Sequence, residues 1–539
     1  MAGFQIIDWI ILVLYMIAMA SIGPLCARSG RSTEGYFLGS RSFSGWLVGL
    51  SMFATSISSV TFMAYPADAY KTAYIRFVPC LMLPLGVLLC SYIFLPFYRK
   101  ARIISAFEYL ESRFGPGVRL YAASMFVVGQ LIRLSLVLYL VSLLVYEMSR
   151  LDPMLCILIG GVVTAFYTIT GGIKAVLWTD FIQSFLLWGG GLVCLLVIVF
   201  KLDGGFGEIF SVAMRDGKFM LGDLNRATGE LERAPWGFAL SEKTVIMMLL
   251  VGLTGWMTEY SSNQNVIQRF CASASPAEAR KAIWICCACS VPTWGFFMFL
   301  GTSLYVFFQA HPTPEAQAML DGTMKADQIL PYFVVHYLPP GMSGLVIAGV
   351  LAAAMSSLSS SINAVSAIGI VDIYRRHVIK GKSDTHYVIA AKLIALGASI
   401  VMIGGAMLLM IADSKTMQDT GAKISAVTAG GLLGLYSLGF LTKRGDARAV
   451  GVGILCTVLF SLWIASLELG WITEARVLML GLPQGFASWF VKPMDTYYAG
   501  IFGNIIMFAV GYLLGSLVFI RKGDLTNLTV WTRDGTPEV

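Results

Sequence analysis

Residues 54–61 read Ala-Thr-Ser-Ile-Ser-Ser-Val-Thr and lie inside the long apolar stretch 46–70. Five of these eight residues carry a hydroxyl group. Serine and threonine hydroxyls compete with a helix for its backbone hydrogen-bonding groups. We therefore expect a helix over 46–70 that is interrupted near its middle.

A second stretch of similar character lies five apolar segments further along the chain, at 243–262. It contains Gly252 and Gly255, which weaken a helix, and it runs into Ser-Ser-Asn at 261–263. Interrupted helices in corresponding positions of two halves mark the central binding site of a membrane transporter. Small and hydroxyl residues also let helices pack closely, which is the alternative explanation for either stretch alone.

The composition is that of a polytopic membrane protein. The 539 residues are 57% hydrophobic and 13% charged, whereas soluble domains carry about 25% charged residues. These values exclude a soluble enzyme, a disordered chain and a nucleic-acid binder. The net charge of +7 arises without a dense basic run, which is typical of basic residues spread over cytoplasmic loops.

Thirteen apolar stretches approach the length of roughly 20 residues that a membrane-spanning helix needs. They are 6–27, 46–70, 74–98, 118–148, 153–170, 175–200, 243–262, 281–309, 341–370, 386–411, 421–441, 448–468 and 495–520. Arginine and lysine concentrate in alternate connections, which predicts an N-terminus outside and a C-terminus in the cytoplasm. No basic residues precede the first stretch, so we expect a retained span rather than a secretory signal.

The ninth stretch reads Ala-Ala-Ala-Met-Ser-Ser-Leu-Ser-Ser-Ser-Ile-Asn at 352–363. Spacings of three and four residues put four small side chains on one helix face, namely Ala353, Ser356, Ser357 and Ser360. Hard cations such as sodium prefer oxygen ligands, which hydroxyl groups supply. This face therefore predicts a cation site, with plain helix packing as the alternative.

Charges within membrane spans are costly and usually functional, so Asp180, Arg133 and Arg76 are candidate site residues. Asp180, at the start of the sixth stretch, is either a charge at the membrane edge or faces a cation held by the serine face. Arg133 either forms a buried pair with Glu259 or clamps an anionic substrate. Arg76 either assists that clamp or extends its side chain towards the membrane surface.

The sequence offers no evident catalytic centre. The four histidines lie in connections or at helix ends, and the cysteines at 286, 287 and 289 have no histidine nearby. We therefore do not expect a zinc site, a His-based nucleophile or an enzyme. A passive channel is the other alternative, and thirteen asymmetric spans with two interruptions suit it poorly.

Four motifs resemble those of the sodium/solute symporter family. They are Gly-Tyr-Phe-Leu-Gly at 35–39 followed by Arg41 and Gly45-Trp46, the stretch 171–183, Asn-Val-Ile-Gln-Arg at 265–269, and the serine-rich stretch 352–363. The resemblance covers about residues 5–445. It implies a sodium-coupled symporter with an all-α fold of about 13 transmembrane helices, built as an inverted five-plus-five repeat with broken helices in spans 2 and 7.

The implied organisation has six parts. They are a first span with a cytoplasmic loop (1–45), a first five-helix repeat (46–200), an extracellular loop (201–242), a second repeat (243–445), two C-terminal spans (446–525) and a cytoplasmic tail (526–539). The expected location is a bacterial inner membrane. We expect no protein partner and no cofactor other than the coupling ion.

The resemblance also implies two sodium sites. The first is formed by backbone carbonyls and hydroxyls of Ala54, Ile57, Ala353, Ser356 and Ser357. The second occurs in the sialic-acid-transporting members and is formed by Asp180, Ser356, Ser359 and Ser360. Two sodium ions per transport cycle are therefore expected.

Within the family, residues 53–100 resemble the bacterial members that transport sialic acid. The implied substrate-binding positions are Ser56, Ser58, Thr61, Arg76, Cys80, Arg133 and Thr254. At three of them, Arg76, Cys80 and Thr254, those members have an aromatic residue, glutamine and phenylalanine. The implied substrate is a small organic anion, first of all sialic acid, whose carboxylate Arg133 holds. A neutral sugar or polyol and another carboxylate are the alternatives.

Overall fold

The computed structural model describes residues 4–27, 32–100, 103–225, 228–240, 242–411, 431–519 and 524–532. Its first half contains α1 (Ile6–Cys26), α2 (Thr33–Leu38), α3 (Gly45–Ser56), α4 (Ser59–Lys71), a 3-10 helix (Tyr74–Met82), α5 (Leu83–Ile93), α6 (Leu95–Lys100), α7 (Glu108–Phe114), α8 (Pro116–Ser149), α9 (Pro153–Lys201) and α10 (Gly205–Arg215). A small antiparallel sheet follows, formed by β1 (Gly222–Leu224) and β2 (Leu231–Arg233).

The second half is again helical. It contains α11 (Val245–Ser262), α12 (Gln264–Ala272), α13 (Pro276–Ala310), α14 (Pro314–Asp321), α15 (Ile329–Tyr337), α16 (Met342–Ile368), a π-helical segment (Gly369–Val378), α17 (Asp384–Ile411), α18 (Leu432–Leu441), α19 (Ala447–Glu468), α20 (Glu474–Met479), α21 (Gln484–Val491) and α22 (Ala499–Leu517). Short 3-10 segments occur at Gly39–Arg41, Ala326–Gln328 and Thr496–Tyr498.

The predicted architecture of many membrane-spanning helices is confirmed. In the described residues, nine helices are long and apolar enough to cross a membrane, or ten if the bent pair α3 and α4 is one span. The fifth and sixth predicted spans are joined in α9, and the seventh is α11. The eleventh is represented by α18, because residues 412–430 lie outside the described part. The count of about thirteen spans stays a prediction.

The predicted interruption of the second span is confirmed. Helix α3 ends at Ser56, Ile57 (φ −93°, ψ 110°) and Ser58 (φ −99°, ψ 171°) are extended, and α4 begins at Ser59. The axes of the two halves differ by 54°. Because a helix end leaves its last carbonyl groups without intrahelical partners, this break presents backbone oxygens inside the bundle.

The seventh span is also interrupted, but not at its glycines. Helix α11 runs through Gly252 and Gly255 to Ser262, Asn263 is extended (φ −80°, ψ 118°), and α12 follows. The expectation that the glycine pair weakens this helix is therefore wrong. Gly252 instead allows close packing, since a Cβ at this position would collide with the backbone of Pro79.

A third break separates the two spans that are joined in α9. Gly172 has φ 58° and ψ −151°, which glycine adopts without the strain that a side chain would cause. A Cβ at Gly172 would also meet the backbone of Tyr36. The break turns the chain into the sixth span and places Asp180 about two turns further along the helix.

Helix α16, the ninth predicted span, lies at the centre of the bundle. Its most apolar window is 94% buried, compared with 61% for α8, the next highest. Asp8 of α1 caps the start of α16, because its Oδ1 accepts the backbone N–H groups of Gly341 (2.8 Å) and Gly344 (2.7 Å). A carboxylate is favourable at this positive end of a helix. The serine-rich face therefore belongs to a fixed, buried helix.

Close packing of α13 against α4, the second half of the broken second span, gives a stability prediction. A Cβ added at Gly301 would collide with the backbone of Pro66. We expect Gly301→Ala to lower the melting temperature, because overpacking costs about 1–3 kcal/mol. Gly255→Ala is the matched control, since no heavy atom lies within 4 Å of the added Cβ. Equal melting temperatures of the two purified variants would contradict the packing described.

Candidate functional site

The residues predicted to bind the first sodium ion lie on two elements that touch. Residues at the end of α3 and residues on α16 are each at most 5% exposed, namely Ala54, Ile57, Ala353, Ser356 and Ser357. The Ser357 hydroxyl lies 3.4 Å from the carbonyl oxygen of Thr55 and 3.4 Å from that of Ala353. The break of the second span therefore faces the serine-rich side of α16.

The chemistry of this group suits a hard cation. All of its polar atoms are carbonyl or hydroxyl oxygens, the donors that such a cation prefers. The Ser356 hydroxyl is buried and has no hydrogen-bond partner among the described residues. Buried polar atoms are rarely left unpaired, so this oxygen is available to a ligand.

The residues predicted for the second sodium ion surround a fully buried carboxylate. Asp180 is 0% exposed, and its Oδ2 accepts the Ser51 hydroxyl at 2.5 Å. Its Oδ1 has no hydrogen-bond partner among the described residues. Ser356, Ser359 and Ser360 lie on α16, and the Ser359 hydroxyl donates to the carbonyl of Ser356 at 3.1 Å. Asp180 is therefore buried inside the protein, beside Ser51.

Arg269 is the functional residue that the sequence interpretation missed. The basic-residue pattern assigns it to a connection, whereas it lies in α12 and is 2% exposed. Its Nη2 lies 2.8 Å from Asp180 Oδ2 and 2.6 Å from the Ser360 hydroxyl. Only its place in the motif 265–269, directly after the interrupted helix, could have pointed to this role.

Several predicted substrate residues line one side of the broken second span. Ser58 lies at the break, and Thr61 follows in the first turn of α4. Tyr65, one turn further, lies with its hydroxyl 3.2 Å from the Cys80 sulfur. Asp68, a further turn along, forms an ion pair of 3.1 Å with Arg76. Spacings of four and three residues place Thr61, Tyr65 and Asp68 on one face.

Two other predicted substrate residues lie on separate parts of the structure. The Ser56 hydroxyl, at the end of α3, donates to the carbonyl of Met52 at 2.9 Å. Thr254 is partly buried on α11. That helix approaches the 3-10 helix carrying Cys80, where the Trp256 indole N–H donates to the Pro79 carbonyl at 2.9 Å.

The two predicted guanidinium groups have different surroundings. Arg76 is partly buried against Asp68, so it does not simply extend towards the surface. Arg133 is exposed on α8 and has no hydrogen bond or ion pair with any described residue. The alternative pair with Glu259 does not form, because that carboxylate accepts the side-chain amide of Asn263 at 2.8 Å. Arg133 and Arg76 therefore share no ion-pair partner among the described residues.

A cavity of about 950 Å³ lies beside Arg76. It is lined by α4, the small sheet and the segment 320–327, and four of its charged groups form two ion pairs. One pair joins Lys243 Nζ to Asp223 Oδ2 at 3.0 Å. The second half of this span, α4, thus adjoins a polar chamber whose other walls belong to the small sheet and the segment 320–327.

Lys218 in this chamber gives a pH prediction. It is 1% exposed, and its Nζ donates to the carbonyls of Tyr70 (2.7 Å) and Thr72 (2.9 Å). Burial lowers the pKa of Lys218 from 10.5 to about 7, with the charge of Asp216 opposing the shift. Between these values the unfolded chain binds more protons, so the free energy of unfolding rises with pH.

We therefore expect the melting temperature to increase between pH 7 and pH 10. Lys218→Met removes the titrating group and is expected to flatten this increase. Lys201→Met serves as the control, because Lys201 is exposed. Melting curves of the three proteins over this pH range check the prediction, and an unchanged slope in Lys218→Met would contradict it.

Two interrupted helices five spans apart, a buried carboxylate and a buried hydroxyl that has no partner among the described residues define a class of protein. They are the features of a cation-coupled secondary transporter, in which broken helices supply free backbone oxygens near the membrane midplane. Comparisons with known proteins make the assignment particular. The family model described as "Sodium:solute symporter family" matches residues 36–448, so the chain belongs to this family.

The chain is similar to two curated bacterial proteins. It is 32% identical over 457 residues to the sodium/sialic acid symporter SiaT of Proteus mirabilis, covering 85% of this chain and 89% of that protein. It is 27% identical over 518 residues to the sodium/sialic acid symporter NanT of Aliivibrio fischeri, covering 95% and 93%. Both matches extend over nearly the whole length of each partner.

A solved structure shows the same fold. The outward-open, substrate-bound state of a Na+-coupled sialic acid symporter superposes with a TM-score of 0.82 at 28% identity, covering 96% of this chain and 98% of that one. The inverted-repeat fold, the membrane location and coupling to sodium are thereby confirmed. The protein is a transporter, so the alternatives of a membrane enzyme and a passive channel are wrong.

Proposed function

We propose that the protein imports a small organic anion, first of all sialic acid, together with sodium. The observation that carries the proposal is Arg133, a guanidinium on a membrane-spanning helix without a described protein partner. An unpaired arginine at this depth is costly, and its planar fork matches a carboxylate. The two relatives described as sialic acid symporters support the same substrate class.

The proposed sodium sites are the two groups described above, with one ion in each. The first ion joins the broken second span to α16 through Ala54, Ile57, Ala353, Ser356 and Ser357. The second lies at Asp180 with Ser356, Ser359 and Ser360. The unpaired Ser356 hydroxyl and Asp180 Oδ1 support both assignments.

The proposed cycle uses alternating access. Sodium binds first and organises the break of the second span, favouring the outward-open state. The substrate then binds near the midplane, with Ser58 and Thr61 at the break and Arg133 on its carboxylate. One helix bundle rocks against the other to open the inner side. Two sodium ions with one monoanion carry one net positive charge inward, and each such charge is worth about 2.3 kcal/mol per 100 mV.

The proposed location is a bacterial inner membrane, with the N-terminus outside and the C-terminus in the cytoplasm. Bacterial relatives support the first part, and the alternation of basic connections supports the second. The boundaries of the two repeats, 46–200 and 243–445, are proposed from the corresponding positions of the breaks after Ser56 and Ser262.

Binding of a matched ligand pair tests the substrate class. Purified protein is titrated calorimetrically with N-acetylneuraminate and with its methyl ester, in sodium and in potassium buffer. We expect the acid to bind in sodium buffer and not in potassium buffer. In sodium buffer, the uncharged ester is expected to bind at least tenfold more weakly than the acid. Arg133→Gln is expected to remove this preference for the acid.

The same titration separates the alternatives. Equal binding of acid and ester would contradict recognition through a carboxylate and favour a neutral sugar or polyol. No binding of either compound, with sodium still raising the melting temperature, would contradict sialic acid and favour another carboxylate. The substrate would then differ from sialic acid in the groups that contact Cys80, Thr254 and the Arg76–Asp68 pair. These are the positions where this sequence departs from the sialic-acid-transporting members.

A further inference from the structure

Arg269 occupies part of the second proposed sodium site. Its side chain is 2% exposed, and its Nη2 contacts Asp180 Oδ2 (2.8 Å) and the Ser360 hydroxyl (2.6 Å). Asp180 and Ser360 are two of the four proposed ligands of the ion. A guanidinium and a sodium ion have the same charge and seek the same oxygen atoms.

We propose that Arg269 is a positioning residue that competes with the second sodium ion for Asp180, lowering the sodium affinity of this site and promoting release of the ion. The inference rests on the proposed function, because it takes the Asp180 group to bind sodium. It adds to that site a residue of the motif 265–269 to which the sequence resemblance assigns no role.

The Asp180 carboxylate is divided between two kinds of contact. Its Oδ2 accepts both the Arg269 guanidinium and the Ser51 hydroxyl. Its Oδ1, like the Ser356 hydroxyl, has no partner among the described residues. A sodium ion bound to these two free oxygens shares one negative charge with Arg269.

One buried carboxylate cannot neutralise two cations. Asp180 is 0% exposed, and repulsion between like charges is strong where water is excluded. Bound sodium therefore weakens the interaction of Arg269 with Asp180. By the same factor, Arg269 lowers the affinity of the site for sodium. When the ion leaves, the guanidinium restores a neutral pair.

Other contacts keep Arg269 beside the site when its bond to Asp180 is weakened. Its Nε donates to the Ser51 hydroxyl (2.9 Å), its Nη1 to the Asn265 carbonyl (2.8 Å), and its Nη2 also to the Thr55 hydroxyl (2.8 Å). Ser51, Thr55 and Asn265 do not belong to the proposed sodium ligands. These hydrogen bonds keep the guanidinium beside Asp180. Only a small displacement is therefore needed to break or to form its contact with the carboxylate.

Sodium titration of the full-length protein tests the proposal without measuring transport. The melting temperature is followed against sodium concentration at constant ionic strength, with choline as the replacing ion. Asp180→Asn identifies the part of the response that belongs to the second site. We expect Arg269→Gln to lower the sodium midpoint of that part at least fivefold, within the range of about 5- to 150-fold that couplings between sites span.

Two further variants complete the test. Arg269→Lys keeps the charge but loses the guanidinium whose Nη2 contacts both Asp180 and Ser360, so we expect a smaller decrease of the midpoint. It replaces Arg269→Gln if that variant does not fold. Arg113→Gln is the matched control, because Arg113 is also 0% exposed but donates to backbone carbonyls such as those of Gly439 and Thr442. Its midpoint is expected to equal that of the wild type.

The outcomes are distinguishable. An unchanged or higher midpoint in both Arg269 variants would overturn the competition while leaving the sodium site in place. A sodium response in the wild type that Asp180→Asn leaves intact would overturn both the second site and this inference. A fivefold decrease that Arg269→Gln also causes in the response remaining in Asp180→Asn would overturn the proposal, because the effect would then not act through the carboxylate.

Discussion

Replacing Ser357 with alanine is expected to reduce sodium-dependent accumulation of substrate to the level seen without sodium. The Ser357 hydroxyl lies between the carbonyls of Thr55 and Ala353, where the broken second span meets α16. Alanine removes one of the proposed ligands of the first ion and leaves the neighbouring carbonyls with one fewer partner. Uptake into proteoliposomes under an inward sodium gradient measures the loss.

Ser366→Ala is the control for this variant. Ser366 is also fully buried on α16, and its hydroxyl donates to the Ala391 carbonyl at 2.7 Å, away from the break. Its loss is expected to cost about 1 kcal/mol of stability without changing the sodium dependence. Transport by Ser357→Ala at the wild-type rate and with the wild-type sodium dependence would contradict the assignment of the first site.

Arg133→Gln is expected to abolish uptake of an anionic substrate while preserving the increase in melting temperature that sodium causes. Hydrogen bonds to charged groups contribute about 1.5–3 kcal/mol each, so the loss of both bonds of a bidentate contact corresponds to a decrease of about 100-fold or more in affinity. The separation of the two effects follows from the structure, because Arg133 has no described contact with the sodium groups on α3 and α16.

Arg150→Gln provides the matched control on the same helix. Arg150 lies at the C-terminal end of α8, is 72% exposed and forms an ion pair of 3.9 Å with Glu147. We expect its replacement to leave uptake and sodium response unchanged. Equal uptake by Arg133→Gln and the wild type would mean that the substrate is not held through its carboxylate at this position.

Features that depend on local sequence were predicted correctly. The hydroxyl-rich residues 54–61 carry the information for the break after Ser56, because the competing hydrogen-bonding groups belong to the same segment. The apolar stretches likewise locate the long helices of the described residues, since length and hydropathy decide which segments cross a membrane. The break of the seventh span at Asn263 coincides with the polar end of its apolar stretch.

Features that depend on distant partners could not be predicted. The role of Gly252 is set by Pro79 on another element, so its packing function looks in the sequence like a weak point of the helix. Arg269 meets Asp180 from a position 89 residues away, and a basic residue near a helix end is indistinguishable from one in a connection. The pairing of Arg76 with Asp68 and the absence of an Arg133–Glu259 pair in the described residues also depend on tertiary placement.

The most direct test of the central claim is uptake of labelled sialic acid into proteoliposomes with the sodium gradient directed inward, absent or directed outward. The account predicts transient accumulation above the external concentration with the inward gradient alone, increased by an inside-negative potential. The same level of uptake under all three conditions would contradict sodium-coupled transport of this substrate.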